Sequence, residues 1–238
     1  MRTAANDGRF ETIDTWVRER TLVKWRKANS IHRDNSSEVT LKEMAIRRGG
    51  REDEERLGAL LSVAFTDDPF VRWVMPNSLD FLRDSKKHPR RAYSEAFDAG
   101  TVFVIGDFAG AAIWLPPGAK ADRSEEVAQA EPSSAAAGHG FPPEFPALIS
   151  QCAAYCPSDP HWYLGLIAVD PVCRGRGVGT QILEYGLAMV DRDGLPAYLE
   201  STNAANTSLY KRFGFQELAK VRVGSSPPRF PMLRPARK

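Results

Sequence analysis

Leu164-Gly-Leu-Ile-Ala-Val-Asp-Pro-Val-Cys-Arg-Gly-Arg-Gly-Val-Gly-Thr180 reads as an apolar strand, a short turn, and an Arg- and Gly-rich loop that opens a helix. Such a loop turns several backbone N–H groups toward one point, and the dipole at the start of a helix adds to their pull on an anion. Gly175, Gly177 and Gly179 remove the Cβ atoms that would hold a pyrophosphate away from the backbone. The stretch points to a phosphorylated ligand. Its plain alternative is a tight strand-to-helix turn.

Two well-known phosphate loops fit this spacing badly. A P-loop needs Lys and then Ser or Thr after its last glycine, whereas Thr180 follows Gly179 directly. The dinucleotide fingerprint needs G-x-G-x-x-G, and here Thr180 stands where the third glycine belongs. Glu200 does lie about 20 residues on, where that fold places its ribose-binding acid, so the reading is weakened and not excluded. Only 59 residues follow Gly179, too few for the rest of a dinucleotide fold and a substrate domain.

Arg174-Gly-Arg-Gly177-Val-Gly179 resembles the Arg/Gln-x-x-Gly-x-Gly/Ala signature of the GNAT N-acetyltransferase superfamily. A second motif follows at the distance this family uses. Leu195-Pro-Ala-Tyr-Leu-Glu-Ser-Thr202 reads as a strand, and Asn203-Ala-Ala-Asn206-Thr-Ser-Leu-Tyr210-Lys-Arg-Phe-Gly214-Phe215 as its helix, ending in Leu-Tyr-x-x-x-Gly-Phe. Asn203 suits an N-cap and Gly214 the left-handed residue that ends a helix. The likeness covers residues 161–215. Trp162-Tyr-Leu, Gly194-Leu-Pro-Ala, Leu199-Glu200 and the Asn206–Tyr210 spacing are most similar to puromycin N-acetyltransferase and its bacterial relatives. The resemblance implies an α/β (α+β) fold. Its mixed central β-sheet has about seven strands, splayed between strands 162–169 and 196–201, with helices on both faces.

Composition is ordinary for a soluble globular protein. The 238 residues are 42% hydrophobic and 26% charged, with a formal net charge of +2. That balance suggests neither a nucleic-acid nor a membrane partner. No apolar run reaches the ~20 residues of a membrane span, and the first residues lack the apolar segment of a signal peptide. Three cysteines give no disulfide framework, so reduced thiols in a cytoplasm are expected. Cys152 and Cys156 have the spacing of one helix face.

Along the chain, residues 1–38 read as a polar extension and 39–238 as one domain. A first strand is expected around Leu41–Arg47. Leu57, Leu60, Leu61 and Ala64 give a helix from Glu55 to Ala64, with Pro69 opposing its continuation. A second helix is expected within Ser78–Phe97, interrupted near Pro89. Thr101–Gly106 and Gly110–Leu115 read as a hairpin. Residues 116–147, rich in Pro, Gly, Ala and Ser, read as a long loop near the acceptor entrance. His161–Val169 reads as a central strand buried on both faces. Val178, Ile182, Leu183, Gly186, Met189 and Val190 form the inner face of the next helix. The tail Val221–Leu233, with Pro227, Pro228 and Pro231, reads as an edge strand with Arg229, Arg234, Arg237 and Lys238 around it.

The resemblance implies direct transfer of an acetyl group from acetyl-coenzyme A, as co-substrate, to a small-molecule amine, with no metal. Backbone groups of Arg174, Gly175, Arg176, Gly177, Val178, Gly179 and Thr180 would take the pyrophosphate. Ile167, Ala168 and Val169 would line the pantetheine arm, with the Ile167 N–H polarising the thioester carbonyl. Tyr210 would protonate the departing thiolate, a phenol having a pKa of ~10. Asn203 and Asn206 would contact the coenzyme or cap the helix. Glu200 is the first choice for the base that deprotonates the acceptor ammonium, a salt-bridged strand end being the other reading. His161 reads as structural. Tyr163 and Gly165 are placed on the strand face of Ile167, which leaves a water relay open. Asp67 and Asp68, beside Phe65, Phe70 and Trp73, offer anionic and aromatic walls to a cationic acceptor. A noncatalytic coenzyme-binding module and a nucleotide-dependent oxidoreductase are the competing classes. A homodimer is compatible with all of this.

Overall fold

The computed structural model describes residues 44–86, 93–119 and 141–237. In chain order the elements are β1 (Ile46–Arg48), α1 (Glu54–Ala64), α2 (Pro69–Val74), α3 (Ser78–Ser85), α4 (Ser94–Ala99), β2 (Val102–Ile105), β3 (Gly110–Leu115), α5 (Phe145–Ala153), β4 (Trp162–Val169), α6 (Val178–Asp193), β5 (Ala197–Ser201), α7 (Ala204–Arg212), β6 (Gln216–Glu217) and β7 (Phe230–Arg234). The strands form one seven-stranded open sheet in the order β1-β2-β3-β4-β5-β7-β6. Only β4 and β5 pair in parallel; the other neighbours are antiparallel.

Alternation along the strands sends side chains to two cores. Phe103, Ile105, Ala112 and Trp114 pack with Val178, Ile182, Leu183 and Val190 of α6 on one face. Val102, Val104, Ala111 and Ile113 pack with Leu57, Leu60 and Leu61 of α1 and Ala96 and Phe97 of α4 on the other. Each large aliphatic side chain so buried contributes about 1.5–3 kcal/mol, which is why β2 and β3 are apolar throughout. Helices lie on both faces, as the two strand–loop–helix units implied.

The sheet opens in its middle. β4 and β5 pair only at Trp162↔Ala197 and Tyr163↔Tyr198, with Trp162 N–H donating to Pro196 O at 2.9 Å. Beyond Tyr163 the two strands diverge, so the backbone edge of β4 from Leu164 to Val169 is left without β5.

A bulge decides what that edge presents. β3 pairs Ile113 with Leu166 but Trp114 with Leu164, which makes Gly165 an extra residue in β4. Before it, Tyr163 packs in the α1 core; after it, Leu166 and Ala168 occupy that core while Ile167 and Val169 pack against the α6 core. Tyr163 is therefore on the face opposite Ile167, and Gly165 belongs to neither alternation. This corrects the sequence reading that put all three on one face: strict alternation cannot count through an inserted residue.

α1 ends at Ala64 as expected, one helix is added, and three other expectations change. Pro69 opens α2 at its first turn behind an Asp68 N-cap, where its missing N–H costs nothing. The expected helix within Ser78–Phe97 is two helices, α3 and α4; Pro89 lies outside the described residues, as do 1–38, 41–43 and 120–140 of the long segment. The end of that segment enters α5, so Cys152 is helical while Cys156 lies past the helix end. β7 is not an edge strand. It runs between β5 and β6, with Pro231 opposite Glu200 and its carbonyl accepting from Leu218 N–H. By alternation the nitrogen of Pro231 also faces the short β6 side, so its missing donor leaves the β5 ladder intact. Arg234 is buried, bidentate on Asp191 at 2.6 and 2.9 Å, and donates from Nε to Phe213 O.

Candidate active site

The parallel pair sends both β4 and β5 toward the same end of the sheet, where one leads into the Gly-rich loop and the other into α7. Clefts at the carboxyl ends of diverging strands are where α/β sheets bind ligands. The site is built from this end.

Asp170 starts the loop by accepting from Val172 N–H at 3.0 Å. Arg174 fixes it from within: its N–H donates to Pro171 O at 3.3 Å and its guanidinium to Ala64 O at 2.6 Å. Arg174 thus holds the loop to the end of α1, and the exposed run spans Arg174 to Gly177. Gly175 and Gly177 have φ of 73° and 82°, the left-handed region that glycine enters freely. Gly177 is the N-cap of α6, and the first i→i−4 bond runs from Gln181 N–H to Gly177 O. The N–H groups of Val178, Gly179 and Thr180 precede it and have no helical acceptor. A Cβ on Gly179 would make ordinary contacts with Val169 and Leu209.

The open edge of β4 supplies backbone donors. Asp170 N–H bonds to Ala109 O, so Asp170, Ala168 and Leu166 direct N–H and C=O at β3. Alternation turns the same groups of Ile167 and Val169 toward the gap. Without the bulge the phase set by Trp162 would turn them the other way.

Tyr210 is buried on α7 among Val178, Ile182 and Leu199. Burial, with a lesser contribution from the Asp68 carboxylate, pushes its phenol well above the usual range. Asp68 is not a solvated turn charge. It is buried, accepts from Phe70 and Val71 N–H at 3.0 Å, and accepts from Thr202 Oγ1 at 2.7 Å. It thereby ties the start of α2 to the end of β5. Asp67 is exposed. Asn203 caps α7, accepting from Ala205 N–H at 2.9 Å, and Asn206 is exposed on the first turn.

Glu200 stands in the part of β5 beyond its last pairing with β4. Its Oε2 is 2.7 Å from Arg229 Nη2, and its Oε1 accepts from Tyr198 OH at 3.3 Å. Arg229 is 2% exposed and stacks over the Phe70 ring at 4.6 Å. Burial and Glu200 together push the Tyr198 phenol upward. Phe70, Trp73 and Phe145 form a ring cluster with centroids 6.1–6.4 Å apart, and Phe141 stacks on Phe145 at 4.5 Å. Phe65 packs into the α1 core instead, so Phe145 takes the place expected of it. Arg229, Phe141, Phe145 and Thr202 escaped the sequence reading because only long-range packing brings them here. His161 lies just before β4, its Nδ1 2.8 Å from Asp159 O and its Nε2 3.5 Å from Cys156 Sγ.

Among the described residues no helix is long and apolar enough to cross a membrane, and no three His, Cys, Asp or Glu side chains gather as a metal site would.

Residues 147–217 match the family model of the acetyltransferase (GNAT) domain. An uncharacterized N-acetyltransferase of Schizosaccharomyces pombe is 27% identical over 189 residues, 72% of this chain and 74% of that protein. Among solved structures, a histone acetyltransferase and related acetyltransferase from Corynebacterium glutamicum is similar with a TM-score of 0.59 and 24% identity, over 82% of this chain and 97% of the other. Arylalkylamine N-acetyltransferase 2 from Aedes aegypti is similar with a TM-score of 0.58 and 13% identity, over 81% and 98%. The matched segment contains the bulged strand, the Gly-rich loop and the Tyr210 helix, and the sheet around them has the fold of these acetyltransferases: residues 147–217 are similar to the acetyltransferase (GNAT) domain.

Proposed function

We propose that the protein transfers an acetyl group from acetyl-coenzyme A directly to the amine of a small molecule. The observation that carries this is the β4–β5 gap, with the backbone donors of Ile167 and Val169 on its edge and the Gly175–Thr180 loop at its mouth. A pantetheine arm lying in the gap would bond to β4 as an added strand while its pyrophosphate meets the loop. Holding thioester and amine in contact can itself lower the barrier by roughly 7–11 kcal/mol. The Ile167 N–H is the donor for the thioester oxygen, and Tyr210 the acid for the departing sulfur. Glu200 is the carboxylate for the ammonium proton, set by Arg229 and Tyr198 beside the aromatic cluster of Phe70, Trp73 and Phe145. That cluster favours an acceptor with an apolar or aromatic body, the class named for the Aedes protein. An antibiotic or an amine metabolite fits that description. The cysteine usage favours a cytoplasmic setting.

The test is ligand protection followed by turnover. At a hundredfold excess over Kd, acetyl-coenzyme A should stabilise the fold by about 2.7 kcal/mol, a shift of several degrees in Tm, and NAD should not. A screen of amines, read by release of free thiol, then names the acceptor. Protection without thiol release from any amine would favour the noncatalytic module, and protection by NAD alone would overturn the proposal.

A further inference from the structure

Tyr93, at the start of α4, is 2% exposed, and its hydroxyl donates to the carbonyl of Gly165 at 2.9 Å. Gly165 is the extra residue of the β4 bulge, so its peptide lies outside the alternation that pairs β4 with β3 on one side and opens to the gap on the other. A half-buried carbonyl so displaced needs a donor, and the donor is the residue that caps α4 rather than a group of either strand. The contact is close as well as polar. A Cβ on Gly165 would lie 2.6 Å from Tyr93 Cε1, so no other residue at this position would let the ring approach as it does. A phenylalanine would fill the same space in the α1 core; only the hydroxyl requires tyrosine.

The bulge also sets the phase of the backbone. Trp162 N–H points to β5 and Asp170 N–H to β3. Unbroken alternation over eight residues would aim both the same way, and the extra residue is what reverses the aim. The two peptides after Gly165 carry the Ile167 N–H to the gap.

We propose that Tyr93 is a positioning residue for acyl transfer. By holding the Gly165 carbonyl it fixes the bulge, and the bulge aims the Ile167 N–H at the thioester oxygen. This rests on the acetyl-coenzyme A reading above, and on Ile167 as the polarising donor. Tyr93 touches no reacting atom; it acts through the β4 backbone. A donor displaced by a fraction of an ångström loses most of its worth to a developing oxyanion, and misplacement near 1 Å can cost about 10²-fold in rate.

The experiment measures the carbonyl stretch of bound acetyl-coenzyme A, labelled with ¹³C at the acetyl carbonyl, by isotope-edited infrared difference spectroscopy. No acceptor is needed. In the wild-type protein the band should move to lower frequency on binding. In Tyr93→Phe it should return most of the way to its value in water, with the fold intact by circular dichroism and coenzyme affinity within about threefold (under 1 kcal/mol). With an acceptor in hand, kcat should fall about 10- to 100-fold while KM for acetyl-coenzyme A barely changes. A purely structural tyrosine would lower Tm without moving the band of the protein that remains folded. If Tyr93→Phe does not fold, Gly165→Ala carries the test, since it drives the ring off the carbonyl while keeping the hydroxyl, and the same band change is expected. A wild-type shift retained in the folded variant overturns the role of Tyr93. Binding with no shift in the wild type overturns Ile167 as the donor, and with it this proposal. Absence of binding overturns the acetyl-coenzyme A reading itself.

Discussion

Gly177 has φ of 82° and open space where a side chain would stand, the nearest atom to a built Cβ being Gln181 Nε2 at 4.0 Å. A residue placed there is strained by its backbone and not by crowding, so substitutions can separate conformation from charge. Asparagine tolerates the left-handed region, and Gly177→Asn should keep most coenzyme affinity. Gly177→Glu adds an anion at the N-terminus of α6, where a pyrophosphate would sit. Its Kd for acetyl-coenzyme A should rise at least ~10-fold, about 1.4 kcal/mol, by calorimetric titration of folded protein. Equal affinities for the two variants would move the phosphate site elsewhere. Tyr210 gives a sharper test of chemistry. Its phenol, pushed up by burial and by Asp68, keeps its proton through the neutral range, as a donor to a thiolate must. Tyr210→Phe preserves the ring that packs against Phe215 at 6.0 Å and removes only the hydroxyl, with the proton it would donate. Turnover should fall about 10²–10⁴-fold with coenzyme binding nearly unchanged. Wild-type turnover would make Tyr210 a core residue and send the search for the acid elsewhere.

Among the elements, α7 shows why part of the site could be read in advance. Gly214 N–H donates to Lys211 O and Phe215 N–H to Tyr210 O, the paired bonds of a Schellman cap, with Gly214 at φ 90°. The Tyr-x-x-x-Gly-Phe pattern is thus a local requirement: glycine for the turn, and Tyr210 against Phe215 as its apolar clasp. Asn203 at the other end is equally local. The same holds for the loop glycines and for the inner face of α6, where the spacing in sequence is the contact in space. What could not be read is non-local. The bulge depends on the register between β3 and β4, and only a glycine inside an apolar strand hints at it. Pro69 opposes continuation of α1, which ends at Ala64, and also opens α2 behind the Asp68 cap, a second role that only the capping hydrogen bonds reveal. β7 looked like an edge because it carries Pro231, and only the pairing of its two neighbours shows which way the missing donor faces. Glu200 was legible as a residue of the open cleft, and Arg229, which holds it, was not.

At the scale of the whole molecule, the second half of the fold is stitched by polar groups that strand and helix patterns do not announce. Arg234 joins β7 to α6 through Asp191 and to the end of α7 through Phe213 O, and Arg229 joins the chain before β7 to Glu200. Tyr198 reaches from β5 to the carbonyl of Cys152 in α5 and to Glu200. This half also holds two buried phenols, Tyr198 of the last stitch and Tyr210 on α7, both held above the ordinary tyrosine range chiefly by burial. The sign of the consequence follows from linkage. A group whose pKa is raised in the fold binds its proton more tightly there than in the unfolded chain. Its contribution is complete below the unfolded value of ~10 and is lost as pH climbs above it toward the folded value. Each such phenol should therefore steepen the alkaline loss of stability by about 1.4 kcal/mol per pH unit once the unfolded chain ionises. Urea unfolding between pH 8 and 11 reads this directly. Tyr198→Phe should be less stable than the wild type at pH 8, having lost its hydrogen bonds. Above pH 10 its stability should decline more gently, and the double variant with Tyr210→Phe more gently still. Parallel decline in all three proteins would mean that both phenols ionise within the folded protein, and that the alkaline limit is set by other groups.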